Sequence, residues 1–288
     1  VDYEIIKPIR GIEVQPSLEE TWEEKKKYWE KLREVFINIY GEAFYDHELP
    51  EYIEGMLRKY FNGGLKGRYG SYDNLGASLI TCADAIGNYV DRNVRMPTRF
   101  YDQRAVLGAL WAGDLSELRI YASHAPTIDD ENQDTYLLML HFFHQGFVVD
   151  EETHEVLEEG KIYRPGQREL SDCCGAFNKL YKVKKGELKK EDLPWELKYV
   201  YDLFAKPLRN NLDLKTWYGK LRRQNIKHVK GIIREYFKGN PLLSGISYLP
   251  FLNINVALVQ QGRSQNNNRL VDLYVPLGSY GKVVFNRS

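Results

Sequence analysis

The chain has 288 residues, with 40 Lys and Arg against 40 Asp and Glu, a formal net charge of zero. That balance excludes a uniformly basic nucleic-acid coat and an acidic disordered chain, and 43% hydrophobic with 13% aromatic residues is the composition of a folded globular protein. At roughly 150 residues per domain the length suits one large domain or two small ones.

Residues 3–15 predict a short strand or arm closed by Pro16. Ser17 and Glu20 form a capping box, which satisfies two orphan backbone N–H groups and starts a helix running to Tyr40. Leu18, Lys25, Leu32 and Ile39 form one seven-residue series on it, and Trp22, Trp29 and Phe36 another. The expectation is an amphipathic helix laid on its own domain, with pairing to a second subunit as the alternative. A second helix is predicted from Glu48 to Phe61. The Gly-rich stretch 62–70 matches neither phosphate-loop nor dinucleotide spacing and reads as a loop.

Asp73 to Val94 reads as a small-residue helix, Asp102 to Trp111 as another, and Leu118 to Ala122 as a strand. Asp129 to His144 is predicted helical, its acidic first turn matching the helix dipole. Phe147–Asp150 and Glu155–Tyr163 predict a hairpin. Residues 168–182 and 193–206 read as helices, and the Lys/Glu-rich linker 182–192 between them suggests a division into 1–182 and 193–288, or one continuous domain. Leu214 to Lys238 is predicted helical with a break near Asn225, and strands follow at 251–259, 270–275 and 282–285. The pattern is α+β: a mostly helical body with isolated hairpins and a C-terminal antiparallel segment.

The neutral total hides an uneven distribution. Residues 127–160 contain ten acids and no Lys or Arg, whereas 179–238 contain seventeen Lys or Arg against seven acids. On a helical projection Lys220, Arg223, Lys227, Lys230, Arg234 and Lys238 share an arc of about 80°. A row of like charges repels itself, which points to an anionic partner, either nucleic acid or an acidic protein surface. The acidic 127–160 segment would serve, either across a subunit contact, making a homo-oligomer, or within the fold. A sharper version is a winged-helix module, with helices near 193–206, 212–224 and 226–238 and a polar wing at 262–269.

Two weaker patterns concern chemistry. Asp150, Glu159 and Lys161 follow the D…ExK order of a Mg²⁺-dependent nuclease. His141 and His144, one turn apart on the predicted helix, read as core-edge histidines; the alternative is a Zn²⁺ pair with Asp134, His124 or His154 as third ligand. Cys82, Cys173 and Cys174 show no CxxC spacing and read as buried small side chains without a disulfide framework. No motif calls for a cofactor. The apolar run Tyr136–Val149 is interrupted by His141, His144 and Gln145 and is too short to cross a bilayer. Without signal-peptide features at Val1–Glu4, the expected setting is the cytoplasm or a virion.

With 21 Tyr, three Met and three Cys, and rich in Lys and Glu, the chain resembles in compositional style the structural proteins of hyperthermophilic archaeal viruses. The resemblance rests on no motif and implies a virion component. The leading expectation is a non-enzymatic, self-associating structural protein carrying the basic stripe. A winged-helix DNA-binding protein and a metal-dependent nuclease are the alternatives.

Overall fold

Fifteen consecutive residues, Tyr136–Asp150, are all buried and form a single strand, β4. An unbroken apolar run does not distinguish a buried helix from a buried strand by periodicity. Here the neighbours decide: β4 lies inside a sheet with both faces covered, the setting in which strands lose their polar alternation. The computed structural model describes residues 22–60, 76–83, 99–123, 136–163, 170–239, 241–259 and 269–283. The arm 3–15, the cap at Ser17–Glu20, the Gly-rich stretch 62–70 and residues 262–268 of the tip lie outside them.

The other strands are β1 (Phe44–Tyr45), β2 (Gly76–Cys82), β3 (Arg99–Val106), β5 (Val156–Glu159), β6 (Lys161–Tyr163), β7 (Leu170–Asp172), β8 (Gly245–Val259), β9 (Arg269–Pro276) and β10 (Tyr280–Val283). Eight of them make one mixed sheet. Its order is β1-β9-β8-β4-β2-β3, with β10 on β8 and β5 on β4, while β6 and β7 form a separate pair. β4 runs parallel to β2 and to β8, and the β4–β8 register extends from Tyr136↔Gly245 to Asp150↔Val259. These two strands come from the two halves of the chain, so one sheet joins residues on both sides of the 182–192 linker.

The helices are α1 (Trp22–Tyr40), α2 (Leu49–Tyr60), α3 (Leu115–Ser123), α4 (Gly175–Lys185), α5 (Trp195–Val200) and α6 (Leu214–Tyr236). Leu49, Ile53 and Leu57 of α2 cover one sheet face, against Leu138, Leu140 and Phe142. Leu32 and Phe36 of α1 cover the other, together with residues of α3 to α6. α1 is thus laid on its own domain. Among the described residues, no helix is long and apolar enough to cross a membrane.

The α+β expectation is overturned: the chain is α/β, with helices on both faces of a mixed central sheet. Three segments account for the difference. The segment read as the end of a helix at 129–144 is β4; the small-residue helix begun at Asp73 contains β2, whose Gly76, Ala77 and Ser78 are wholly buried strand residues; and Asp102–Trp111 holds β3 and a 3₁₀ turn. Conversely, the strand read at Leu118–Ala122 lies within α3. Asp114 caps that helix, its carboxylate accepting from the backbone N–H of Ser116 at 2.8 Å and Glu117 at 3.1 Å.

α6 is one continuous helix. Asp213 caps it by accepting from Thr216 N–H at 2.8 Å, and Asn225, where a break was expected, is buried and donates to the Trp111 carbonyl at 2.7 Å. The two helices expected at 212–224 and 226–238 in a winged-helix module are therefore one, and the following strands β8 and β9 belong to the central sheet. The hairpin at 147–163 is present, with β5 antiparallel to the end of β4.

Candidate metal centre

β4 is flanked on one edge by two shorter strands. β2 pairs with it as far as Thr81↔Phe142, and β5 takes over at Phe147↔Glu159. Between them neither strand pairs with Phe143 to Gly146. Cys82, the last residue of β2, ends at that gap, at the carboxyl end of a parallel strand where α/β sheets place their sites. A Cβ on Gly146 would stand 2.4 Å from the Lys161 carbonyl and 2.8 Å from Cys173 Cβ. Glycine thus lets the β6–β7 pair close over the gap. Cys173 N–H donates to the Gly160 carbonyl at 2.9 Å, and Gly160 N–H to that of Gly146 at 2.8 Å. Cys174, the next residue, is the N-cap of α4.

The result is a cluster of three buried donors. Cys82 Sγ, a ring nitrogen of His144 and Cys174 Sγ all lie within 4.8 Å of one another. Around a tetrahedral zinc, donors at the usual bond lengths stand roughly 3.5–3.8 Å apart, close to this spacing. Soft sulfur with imidazole selects zinc over magnesium or calcium. His144 supplies a further sign: Nδ1 faces Cys173 Sγ at 3.3 Å, whereas Nε2 is buried with no hydrogen-bond partner among the described residues. An orphaned ring nitrogen in a protein interior is costly unless something occupies it.

The electrostatics agree. A hydrogen bond to Cys82, then burial, then the charge of Cys82 push the Cys174 thiol well above its ordinary value. Burial opposes the His144 imidazolium, yet the sulfurs of Cys173 and Cys82 outweigh it and raise the ring well above the usual histidine range. Buried sulfurs and a ring that compete for protons are a poor resting state, and a divalent cation takes the place of those protons. The residues present fit zinc.

The histidine pair read from the sequence separates. Three residues apart on a strand means opposite faces, not one face. His141 uses both nitrogens elsewhere, Nε2 toward the Ala109 carbonyl and Nδ1 toward Tyr248 Oη at 2.8 Å. A carbonyl only accepts, so Nε2 carries the hydrogen and Nδ1 accepts from Tyr248. Among the suggested third ligands, His154 is outside the cluster, and His124 and Asp134 lie outside the described residues. The sequence reading missed Cys82 and Cys174, which with His144 are spread over 93 positions of chain with no local motif. The one signal was a cysteine closing a run of strand-forming residues, Leu79-Ile80-Thr81-Cys82.

The D…ExK residues do not converge. Glu159 stands opposite Phe147, three residues, or roughly 10 Å of strand, from Asp150. The Asp150 carboxylate caps its own turn, accepting from Thr153 N–H at 2.7 Å and Glu152 N–H at 3.0 Å, and those bonds hold it below the usual range. Lys161 pairs with Asp172 at 2.6 Å. Glu159 accepts from Gln145 at 2.5 Å, and Gln145 in turn accepts from the buried Arg222.

On the basic stripe, Arg223, Lys227, Arg234 and Lys238 are exposed, and Lys220 and Lys230 half-buried. The acidic and basic segments meet within one fold at the first turn of α6, through Glu159 and Lys215 at 3.6 Å.

No protein-family model and no curated protein matches the sequence. Solved structures do match its fold. The crystal structure of PtLCIB4, described as a homolog of the limiting CO2-inducible protein LCIB, superposes with a TM-score of 0.57 over 86% of this chain and 94% of its own, at 16% identity. A single-residue variant of PtLCIB4 gives 0.58 over 88% and 95%, at 15% identity. The chain shares the fold of these structures over nearly their whole length.

Proposed function

We propose that the chain is a zinc enzyme that adds water to a small uncharged electrophile, with CO2 as its substrate. The buried Cys82–His144–Cys174 cluster carries this reading. Three protein donors without a fourth among the described residues are the composition of a catalytic zinc site, which keeps a position for water. Zinc in such a set supplies a Lewis acid that makes water acidic near neutral pH. Cys82 and Cys174 balance the cation's charge, and His144 adds a neutral donor. Their burial keeps bulk solvent from the reacting atoms and admits only a small substrate. CO2 is favoured by the likeness to PtLCIB4, described as a homolog of a CO2-inducible protein. The test is stopped-flow CO2 hydration by the zinc-loaded full chain. Turnover at least about a hundredfold above the Cys82→Ser variant is expected, and equal rates overturn the assignment.

We also propose that the stripe on α6 binds a polyanion or an acidic subunit surface. Among the described residues only Lys238 of the six is ion-paired, with Glu235 at 2.9 Å. Partial burial and the charge of Arg234 hold Lys230 below the usual lysine range, a local cost that an anion relieves. Reversing Lys227, Lys230 and Arg234 to Glu should cut retention on DNA at low salt by about tenfold, or dissociate an oligomer followed by light scattering. A wild type that does neither removes the stripe's partner.

A further inference from the structure

Resting on the zinc reading, we propose that Cys173 is not a ligand but a positioning residue: with Asn255 and Asp272 it fixes the His144 ring so that Nε2 faces the metal. Adjacent cysteines invite the assumption that both bind metal, yet Cys173 is outside the donor cluster. Its Sγ lies 3.3 Å from His144 Nδ1 and donates to Asn255 Oδ1 at 3.6 Å. Asn255 Nδ2 donates to Asp272 Oδ1 at 2.6 Å and to Asn253 Oδ1 at 2.7 Å.

Each hydrogen in this chain is assigned by elimination. The Asp272 carboxylate and the Asn253 amide oxygen only accept, so the NH₂ of Asn255 points at them and its Oδ1 points at Cys173. Oδ1 only accepts as well, which commits the Cys173 S–H to it. The sulfur then has only lone pairs left for Nδ1, so Nδ1 keeps its hydrogen and Nε2 is the nitrogen given up to the cation. Ring orientation by a partner on the second nitrogen is how metal-bound histidines are ordinarily held. The unusual part is a thiol in that role, placed by the close approach of Cys173 to Gly146 and supported by a carboxylate two residues further out.

The experiment is zinc titration of the full chain against a chelating dye, with metal content measured alongside. Cys173→Ala and Asn255→Leu should keep one zinc per chain but bind it about 10–100-fold more weakly. Cys173→Ser, which still donates to Asn255 and accepts from Nδ1, should recover to within about threefold of wild type. Long-range ¹H–¹⁵N NMR of zinc-loaded wild type should show the hydrogen on Nδ1 of His144. This readout covers the case in which Asn255→Leu fails to fold.

A Cys173→Ala chain that holds no zinc makes Cys173 a ligand and overturns the proposal. So does unchanged affinity in that variant, or zinc on Nδ1. A wild type that takes up no zinc overturns this inference together with the zinc reading. Normal wild-type loading with an unaffected Cys173→Ala variant overturns this inference alone.

Discussion

Replacing Cys82, His144 or Cys174 by Ala should take zinc in the purified full chain from about one per molecule to nearly none, and weaken zinc binding by at least about a thousandfold. The size follows from the geometry. Each of these residues supplies one of three buried donors, and the loss of one leaves a cation in the interior with too few ligands to repay its dehydration. The effect should also appear as stability, since a ligand bound only by the folded chain stabilises it in proportion to the logarithm of its occupancy. Chelation should lower the melting temperature of wild type and leave the ligand variants unmoved. His141→Gln is the informative control, because it should retain full zinc content. If His141→Gln lost the metal while Cys82→Ala kept it, the pairing of His141 with His144 drawn from the sequence would be restored and the centre described above would be wrong.

Acid should destabilise the protein through His141. The ring is fully buried, and desolvation drives it down to about 4, the hydrogen bond to Ala109 opposing only in part. The unfolded chain binds a proton near pH 6.5 while the folded one does not, so this group's contribution is complete above pH 6.5 and is lost as pH falls toward 4. A depression of about 2.5 pH units corresponds to about 3 kcal/mol. Gln at position 141 cannot titrate, so the difference in unfolding free energy between wild type and His141→Gln should shrink by about that amount from pH 7 to pH 4. Parallel stability curves would show that His141 is protonated in the fold. The His141–Tyr248 bond, which requires an unprotonated Nδ1, would then be misassigned.

What the sequence made legible depended on whether a segment meets solvent on one face or none. α1, α2 and α6 each expose a polar face, and their apolar periodicity located all three. β4 and β2 expose none, so the apolar and small-residue patterns along them carried no period. β4 was therefore read as helix, and with it the sheet order was lost. The same error governed the site: on a helix His141 and His144 are neighbours, whereas on β4 they part to opposite faces, leaving His144 to meet cysteines 62 positions before it and 30 after. α3 was misread for a different reason, since its capping acid, Asp114, precedes the segment judged to be a strand.

The uneven charge distribution takes on a different meaning in the fold. Of the ten acids between 127 and 160, Asp150 sits at the end of a strand otherwise without charge, and Glu159 answers Lys215 within the same molecule. Among the described residues of this segment, Tyr136–Val149 is the uncharged centre of the sheet, and the acids gather in the turn and strand that follow, between Asp150 and Glu159. The stripe on α6 keeps its exposure, and among the described residues only Lys238 of the six is ion-paired.

The most direct measurement is X-ray absorption at the zinc edge on the zinc-loaded chain. Two sulfur scatterers near 2.3 Å with one imidazole nitrogen and one further light atom near 2.0–2.1 Å are expected. One sulfur should be lost in Cys82→Ala reconstituted at high zinc. A shell of nitrogen and oxygen alone, or one of three sulfurs that includes Cys173, would contradict the Cys82–His144–Cys174 centre.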